Sequence, residues 1–226
     1  MKWHWWEETP QSEAEYAARR GRMVETQLQR RSIHDERVLA AMRDVPRHLF
    51  VPELFRGMAY DDSPVPIGYD QTISQPFIVA YMLQCLKLTG SEKVLEIGAG
   101  SGYQAVLLSR LCRKVYTIEI IQELAAQAGK MMGALEIRNV RIRCNDGYLG
   151  WPQAAPFDRI IVSAAPGHVP QNLLGQLRRG GRMILPLGDL DQRLLVLHKS
   201  KTGKVYRRKL VPVKFVPMTG LAEKVN

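Results

Sequence analysis

Three places in the 226-residue sequence carry residue types whose spacing suits the grip of a nucleoside-like ligand. The first is Glu96-Ile97-Gly98-Ala99-Gly100-Ser101-Gly102, set between an apolar run and a helical stretch. Glycines at 98, 100 and 102 let the main chain turn sharply and let a ligand approach it closely. A dinucleotide fingerprint would want glycine at 103, where Tyr103 stands, and no Gly-Lys-Ser/Thr ending follows to cradle phosphates. The second is Glu119, about 20 positions further on at the end of the next apolar run, where a carboxylate can accept both ribose hydroxyls. The third is Asn145-Asp146-Gly147-Tyr148, which follows another apolar run. Alone it reads as a turn. In third place behind the other two, Asp146 can accept an adenine amino group while Gly147 leaves room for the ring.

These groups need elements to position them. Short apolar runs at 94–97, 115–118, 140–143, 159–162 and 183–185 read as strands, with helices predicted over 104–110, 122–132 and 171–178. Such alternation predicts an α/β, doubly wound, mainly parallel, Rossmann-like sheet, whose ligands bind outside the carboxyl ends of the strands. Runs at 194–198 and 209–215 have no helix between them, so two antiparallel strands are expected to finish the sheet. Ahead of the sheet, helices are predicted over 13–30 and 36–43. A proline- and glycine-rich run from Val45 to Pro76 shows little periodicity, and its length and apolar content predict an ordered, functional segment.

The Glu96-to-Gly102 pattern resembles the first motif of class I methyltransferases, which implies S-adenosylmethionine as cofactor and Glu96, Gly98, Gly100, Gly102, Glu119, Asp146 and Gly147 as its contacts. Methylation of nucleobase amino groups loses support, because Ser163-Ala164-Ala165-Pro166 replaces the Asn/Asp/Ser-Pro-Pro-aromatic motif of those enzymes. The stretch Tyr60-Asp61-Asp62-Ser63-Pro64-Val65-Pro66-Ile67, running through Gln71-Thr72-Ile73-Ser74-Gln75-Pro76, closely resembles the signature of protein-L-isoaspartate O-methyltransferases. The segments 23–28, 45–52 and 215–217 resemble the bacterial members, and the likeness spans about residues 20–220.

That resemblance implies methyl transfer to the free α-carboxylate of isoaspartyl residues in damaged proteins and peptides. It implies Ser74 as the active-site residue and Thr72, Ile73 and Ser74 around the cofactor. Tyr60, Asp62, Pro64 and Ile67 would shape the lid and acceptor side, and the last strands of the sheet would be rearranged relative to most class I enzymes. Asp70 is a departure, standing where relatives often have glycine. The α-carboxyl of an isoaspartyl residue, which titrates at roughly 3.3–3.7 when unperturbed, is already anionic at neutral pH, so no strong general base is required. Taken without its context, Ser74 reads equally as a helix cap ahead of Pro76. His48 and His168 read as structural or surface residues.

Composition sets the outer bounds. Hydrophobic residues make up 46% and charged residues 24%, ordinary for a globular chain. One methyltransferase domain is expected over 20–226, with 20–90 supplying the helical and lid segment and 91–226 the cofactor-binding sheet. Residues 1–19 form an extension without an assigned role. Its opening, Met1-Lys2-Trp3-His4-Trp5-Trp6-Glu7-Glu8, turns acidic too early for a signal peptide's apolar core, and the cytoplasm is expected. Cys85, Cys112 and Cys144 show no metal or redox spacing, so buried or semi-buried free thiols in a reducing compartment, and no metal, are expected. The net charge of +10 favours anionic partners, but the basic residues are dispersed, and the group Lys199 to Lys209 reads as a solvated hairpin. A monomer with no nucleic-acid or membrane partner is expected. Two rivals stand beside this reading: a methyltransferase of the same fold acting on RNA or a small molecule, and a non-catalytic module that keeps the fold.

Overall fold

The computed structural model describes residues 12–224. The first element is α1 (Glu13–Met23), started by a capping box in which the Ser12 side chain accepts from the Glu15 N–H while the Glu15 carboxylate accepts from the Ser12 N–H. It continues through a π-helical turn and a 3-10 turn to Arg31, so the helix expected over 13–30 is present but changes its hydrogen-bond pattern at Val24. Then comes α2 (Glu36–Asp44), capped by the Asp35 carboxylate. The tryptophans at 3, 5 and 6 lie outside the described residues.

The proline-rich run is ordered. Two 3-10 turns, 47–50 and 53–58, lead into a hairpin of β1 (Val65–Gly68) and β2 (Gln71–Ile73). Tyr69 and Asp70 turn the hairpin with φ of 54° and 55°. That left-handed pair is what a two-residue hairpin loop needs, which explains why glycine would suit position 70 and why aspartate is tolerated there. The sequence shows no period for the hairpin, whose strands are too short, and marks only a candidate start of helix α3 (Pro76–Leu86), which is apolar nearly all round. Pro76 opens α3 at a position that needs no N–H.

The remaining elements are β3 (Lys93–Ile97), α4 (Tyr103–Leu111), β4 (Lys114–Glu119), α5 (Gln122–Ala134), β5 (Val140–Cys144), β6 (Phe157–Val162), α6 (Gln171–Gln176), β7 (Leu177–Leu187), β8 (Arg193–Lys199) and β9 (Val205–Pro212). The seven-stranded sheet has the order β5-β4-β3-β6-β7-β8-β9. Its first five strands are parallel and the last two antiparallel, following one another in chain order at the edge. Two strand readings need correction. The strand read at 183–185 begins at Leu177, directly after a shorter α6, because Gly180 and Gly181 bend within the strand instead of ending a helix. The last strand lies at 205–212, not 209–215, because its half-solvated edge hides the alternation.

Successive residues of β3 enter different cores. Val94 packs with α2, α3 and α4, while Leu95 and Ile97 pack with α6 and the C-terminal segment. A sheet covered on both faces needs strands apolar throughout, and β3 obeys this after its half-buried first residue, Lys93, except at Glu96. The chain runs outward from β3 to β5 on one side and from β6 to β9 on the other. Its topological switch point therefore lies between the carboxyl ends of β3 and β6.

Candidate active site

At that switch point a cleft of about 890 Å³, counting its open mouth, lies against Gly98, Gly100, Glu119, Gly147, Ser163 and Ser74. Gly98, Gly100 and Gly102 adopt φ of 86°, 52° and 86°, a left-handed run that side-chain-bearing residues resist. The loop is pinned to the next strand: Gly98 and Ala99 donate to the Ile118 carbonyl at 2.8 and 3.2 Å. Gly100 donates to Oε2 of Glu119 at 2.8 Å, and Oε1 of Glu119 accepts from Ile120 and Ile121 at 2.9 and 3.0 Å. Three N–H donors thus hold a buried carboxylate on the cleft wall, with lone pairs left to accept ligand hydroxyls.

Glu96 stands behind this wall. It is fully buried, and that burial pushes its pKa up to about 7, helped by the Glu119 charge and opposed by Thr117 and Gln104. Gln104 Nε2 bridges Glu96 Oε1 at 3.0 Å and Ser163 Oγ at 2.9 Å. Through that bridge Glu96 positions two cleft-lining side chains without lining the cleft itself. Gly147 lies on the wall, and a Cβ there would come within 2.4 Å of the Ile97 side chain. Asp146 stands beside the wall, where its Oδ1 accepts from Tyr148 and its Oδ2 from Leu221, each at 2.8 Å. It thereby holds the C-terminal turn against the site. Residues Val216 to Thr219 close the cleft, tied by Ala165 N–H to Val216 O and Met218 N–H to Ala165 O, both at 2.8 Å.

A second cleft of about 790 Å³ adjoins the first and is lined by Pro64, Gln75, Ile78 and Lys214 among others. Thr72, Ser74, Ser163 and Val216 line both clefts, while Ile73 lines only the first. Ser74 is not the cap of α3. The cap position is Gln75, which makes no side-chain cap bond, and the Ser74 hydroxyl has no hydrogen-bond partner among the described residues. Ile67 supports the loop from the lid side, its Cδ1 lying 3.3 Å from where a Cβ on Gly100 would stand. Tyr60 and Asp62 lie further out. The buried Tyr60 hydroxyl meets His48 Nδ1 at 2.8 Å, and Asp62 accepts from Arg31 at 2.5 Å and Gln75 at 2.8 Å. His168 meets the Tyr148 hydroxyl at 2.8 Å. Gln104, Ser163 and the 216–219 segment were not singled out as site residues from sequence. Gln104 sits one position into α4 and looks like any helical glutamine, and only the fold brings the C-terminus back over β6.

A glycine loop after the first parallel strand, a carboxylate ending the second and a cleft at the switch point together define a class I S-adenosylmethionine-dependent methyltransferase. Residues 18–223 match the family model of protein-L-isoaspartate(D-aspartate) O-methyltransferases, and the chain belongs to that family. It is 53% identical over 212 residues to protein-L-isoaspartate O-methyltransferase 2 of Shewanella sediminis, covering 92% of this chain and 86% of that one. It is 52% identical to the Gloeobacter violaceus protein-L-isoaspartate O-methyltransferase, covering 87% of this chain and 97% of that one. Among solved structures, a Plasmodium falciparum protein-L-isoaspartate O-methyltransferase in complex with S-adenosyl-L-homocysteine superposes with a TM-score of 0.77. It is 27% identical, over 87% of this chain and 96% of that one.

The residues present fit that cofactor. Glu119 offers acceptor capacity for hydroxyls, and the absence of a side chain at Gly147 leaves Ile97 its place on the same cleft wall. Among the described residues no group of three or more His, Cys, Asp or Glu could hold a metal ion.

Proposed function

We propose that this enzyme transfers a methyl group from S-adenosylmethionine to the free α-carboxylate of L-isoaspartyl residues in damaged proteins and peptides. The single observation that carries the assignment of roles is the position of Ser74: an unpartnered hydroxyl where the cofactor cleft opens into the second cleft. The cofactor supplies an electrophilic sulfonium methyl. The acceptor carboxylate enters already ionised, so the protein need not remove a proton. Its task is to align one carboxylate oxygen with the methyl and to keep water out, which is orientation and not acid–base work. Ser74 donates to the carboxylate and orients it from the shared rim. Glu119 accepts the ribose hydroxyls, Thr72 and Ile73 cover the ligand, and Asp146 with Gly147 serves the adenine side. Pro64 and Ile67 shape the lid and the acceptor cleft, while Tyr60 and Asp62 brace the lid through His48, Arg31 and Gln75. The main-chain nitrogen of the following residue then attacks the ester carbonyl and loses its proton, methanol leaves, and the succinimide so formed begins repair.

We read the protein as a cytoplasmic monomer. The three cysteines are free thiols that suit a reducing compartment, Cys112 buried and Cys85 half-buried as expected but Cys144 exposed at the end of edge strand β5. No helix among the described residues is long and apolar enough to cross a membrane. The deciding experiment is methyl transfer from labelled S-adenosylmethionine to an isoaspartyl peptide and to its normal aspartyl twin. Only the first should be labelled, because only it has a main-chain carboxylate at that residue. Equal labelling of both, or labelling of bulk RNA instead, would remove the repair assignment.

A further inference from the structure

Arg47 is fully buried, yet the described residues give it no carboxylate partner. Burying an uncompensated guanidinium is costly, and here burial holds its pKa down to about 10. A well-packed apolar side chain would satisfy the same space more cheaply. What Arg47 does instead is reach three separate parts of the site. Its Nε donates to the Ala59 carbonyl at 2.7 Å, on the lid, and its Nη2 donates to the Ser74 carbonyl at 2.8 Å. Its guanidinium carbon lies 5.1 Å from the ring centroid of Tyr103, the first residue of α4 and part of the cofactor cleft.

The Ser74 carbonyl needs that donor. The first helical bond of α3 runs from Val79 to Gln75, so Ser74 lies just outside the helix ladder. Its hydroxyl has no neighbour to hold it, and its location therefore depends on how the main chain at 74 is fixed. We propose that Arg47 is a positioning residue for methyl transfer, its rigid fork holding the main chain of Ser74 in register with Ala59 and with Tyr103 at the start of α4. Lysine could keep the charge but not both directed bonds, since its ammonium is a point donor on a flexible stem.

This inference rests on the role of Ser74 given above, and a double-mutant cycle separates the two. Arg47→Lys and Arg47→Met are measured alone and combined with Ser74→Ala, with steady-state kinetics on an isoaspartyl peptide, equilibrium binding of S-adenosylmethionine and a thermal melt. A misplacement near 1 Å costs about 100-fold in rate, so folded Arg47 variants should lose about 10- to 100-fold in kcat with cofactor affinity nearly unchanged. In the Ser74→Ala background the same changes should cost no more than about twofold, because the group being positioned is gone. An unchanged kcat, or an equal loss in both backgrounds, would overturn the proposal. So would the failure of both single variants to fold, which would make Arg47 a requirement of the fold. A Ser74→Ala enzyme as fast as its parent would instead remove the Ser74 reading on which this stands.

Discussion

Gly100 donates its main-chain N–H to Oε2 of Glu119 at 2.8 Å, joining the glycine loop after β3 to the end of β4. One carboxylate therefore shapes the loop and lines the cleft. Replacing Glu119 by Ala should weaken S-adenosylmethionine binding by about 1.5–3 kcal/mol, the scale of hydrogen bonds to a charged group. Gln, which still offers one acceptor oxygen, should lose less. Calorimetric titration checks both, and unchanged affinity in a folded Ala variant would take Glu119 out of the site.

Ser74→Ala should lower turnover while leaving cofactor affinity nearly intact, since the proposed cofactor contacts at the glycine loop and Glu119 are untouched. Loss of one fully preorganised donor costs about 10²–10³ in rate, and the loss here should fall short of that because the Ser74 hydroxyl has no neighbour to fix it. Ser74→Thr, which keeps the hydroxyl, should retain more activity than Ala. Equal rates for Ala and parent in steady-state assays would end the proposed role.

Gly147→Ala should fail for steric reasons on both counts. The new Cβ would stand 2.4 Å from the Ile97 side chain, and such overpacking costs about 1–3 kcal/mol of stability. Because Ile97 and Gly147 both line the cleft, cofactor affinity should fall together with the melting temperature. A variant that melts and binds like its parent would show that the wall is looser than this packing implies.

Glu96 gives a pH signature. Burial raises its pKa from 4.5 to about 7, so the folded chain holds this proton more tightly than the unfolded chain. The resulting stabilisation is complete below pH 4.5 and is lost as pH rises through about 7. Glu96→Gln keeps the shape without the charge, so its stability should fall less than the parent's between these limits. Above pH 7 it should be the more stable by up to about 3 kcal/mol, at 1.36 kcal/mol per pKa unit. Urea midpoints at acid and alkaline pH test this. Parallel losses in the two proteins would mean that Glu96 is ionised at little cost.

The sequence alone determined the parallel sheet, the glycine loop and the place of Glu119, because these depend on local rules. Buried strands announce themselves as apolar runs, left-handed turns demand glycine, and a strand-end carboxylate is visible at its spacing from the loop. Residue types at 60–76 also pointed to the acceptor through a resemblance rather than through any period. Tertiary structure decided the rest. Gln104 joins Glu96 to Ser163 only because α4 returns over β3 and β3 pairs with β6. Whether Ser74 was a cap or a free hydroxyl depended on where α3 begins, and its cap falls one residue later than the serine. Asp146 and Leu221, 75 residues apart, meet because the chain folds back across the cleft, and Arg47 reaches Ser74 because the turns and hairpin between them double back. Contacts between distant segments follow from packing, and no spacing along the chain encodes them.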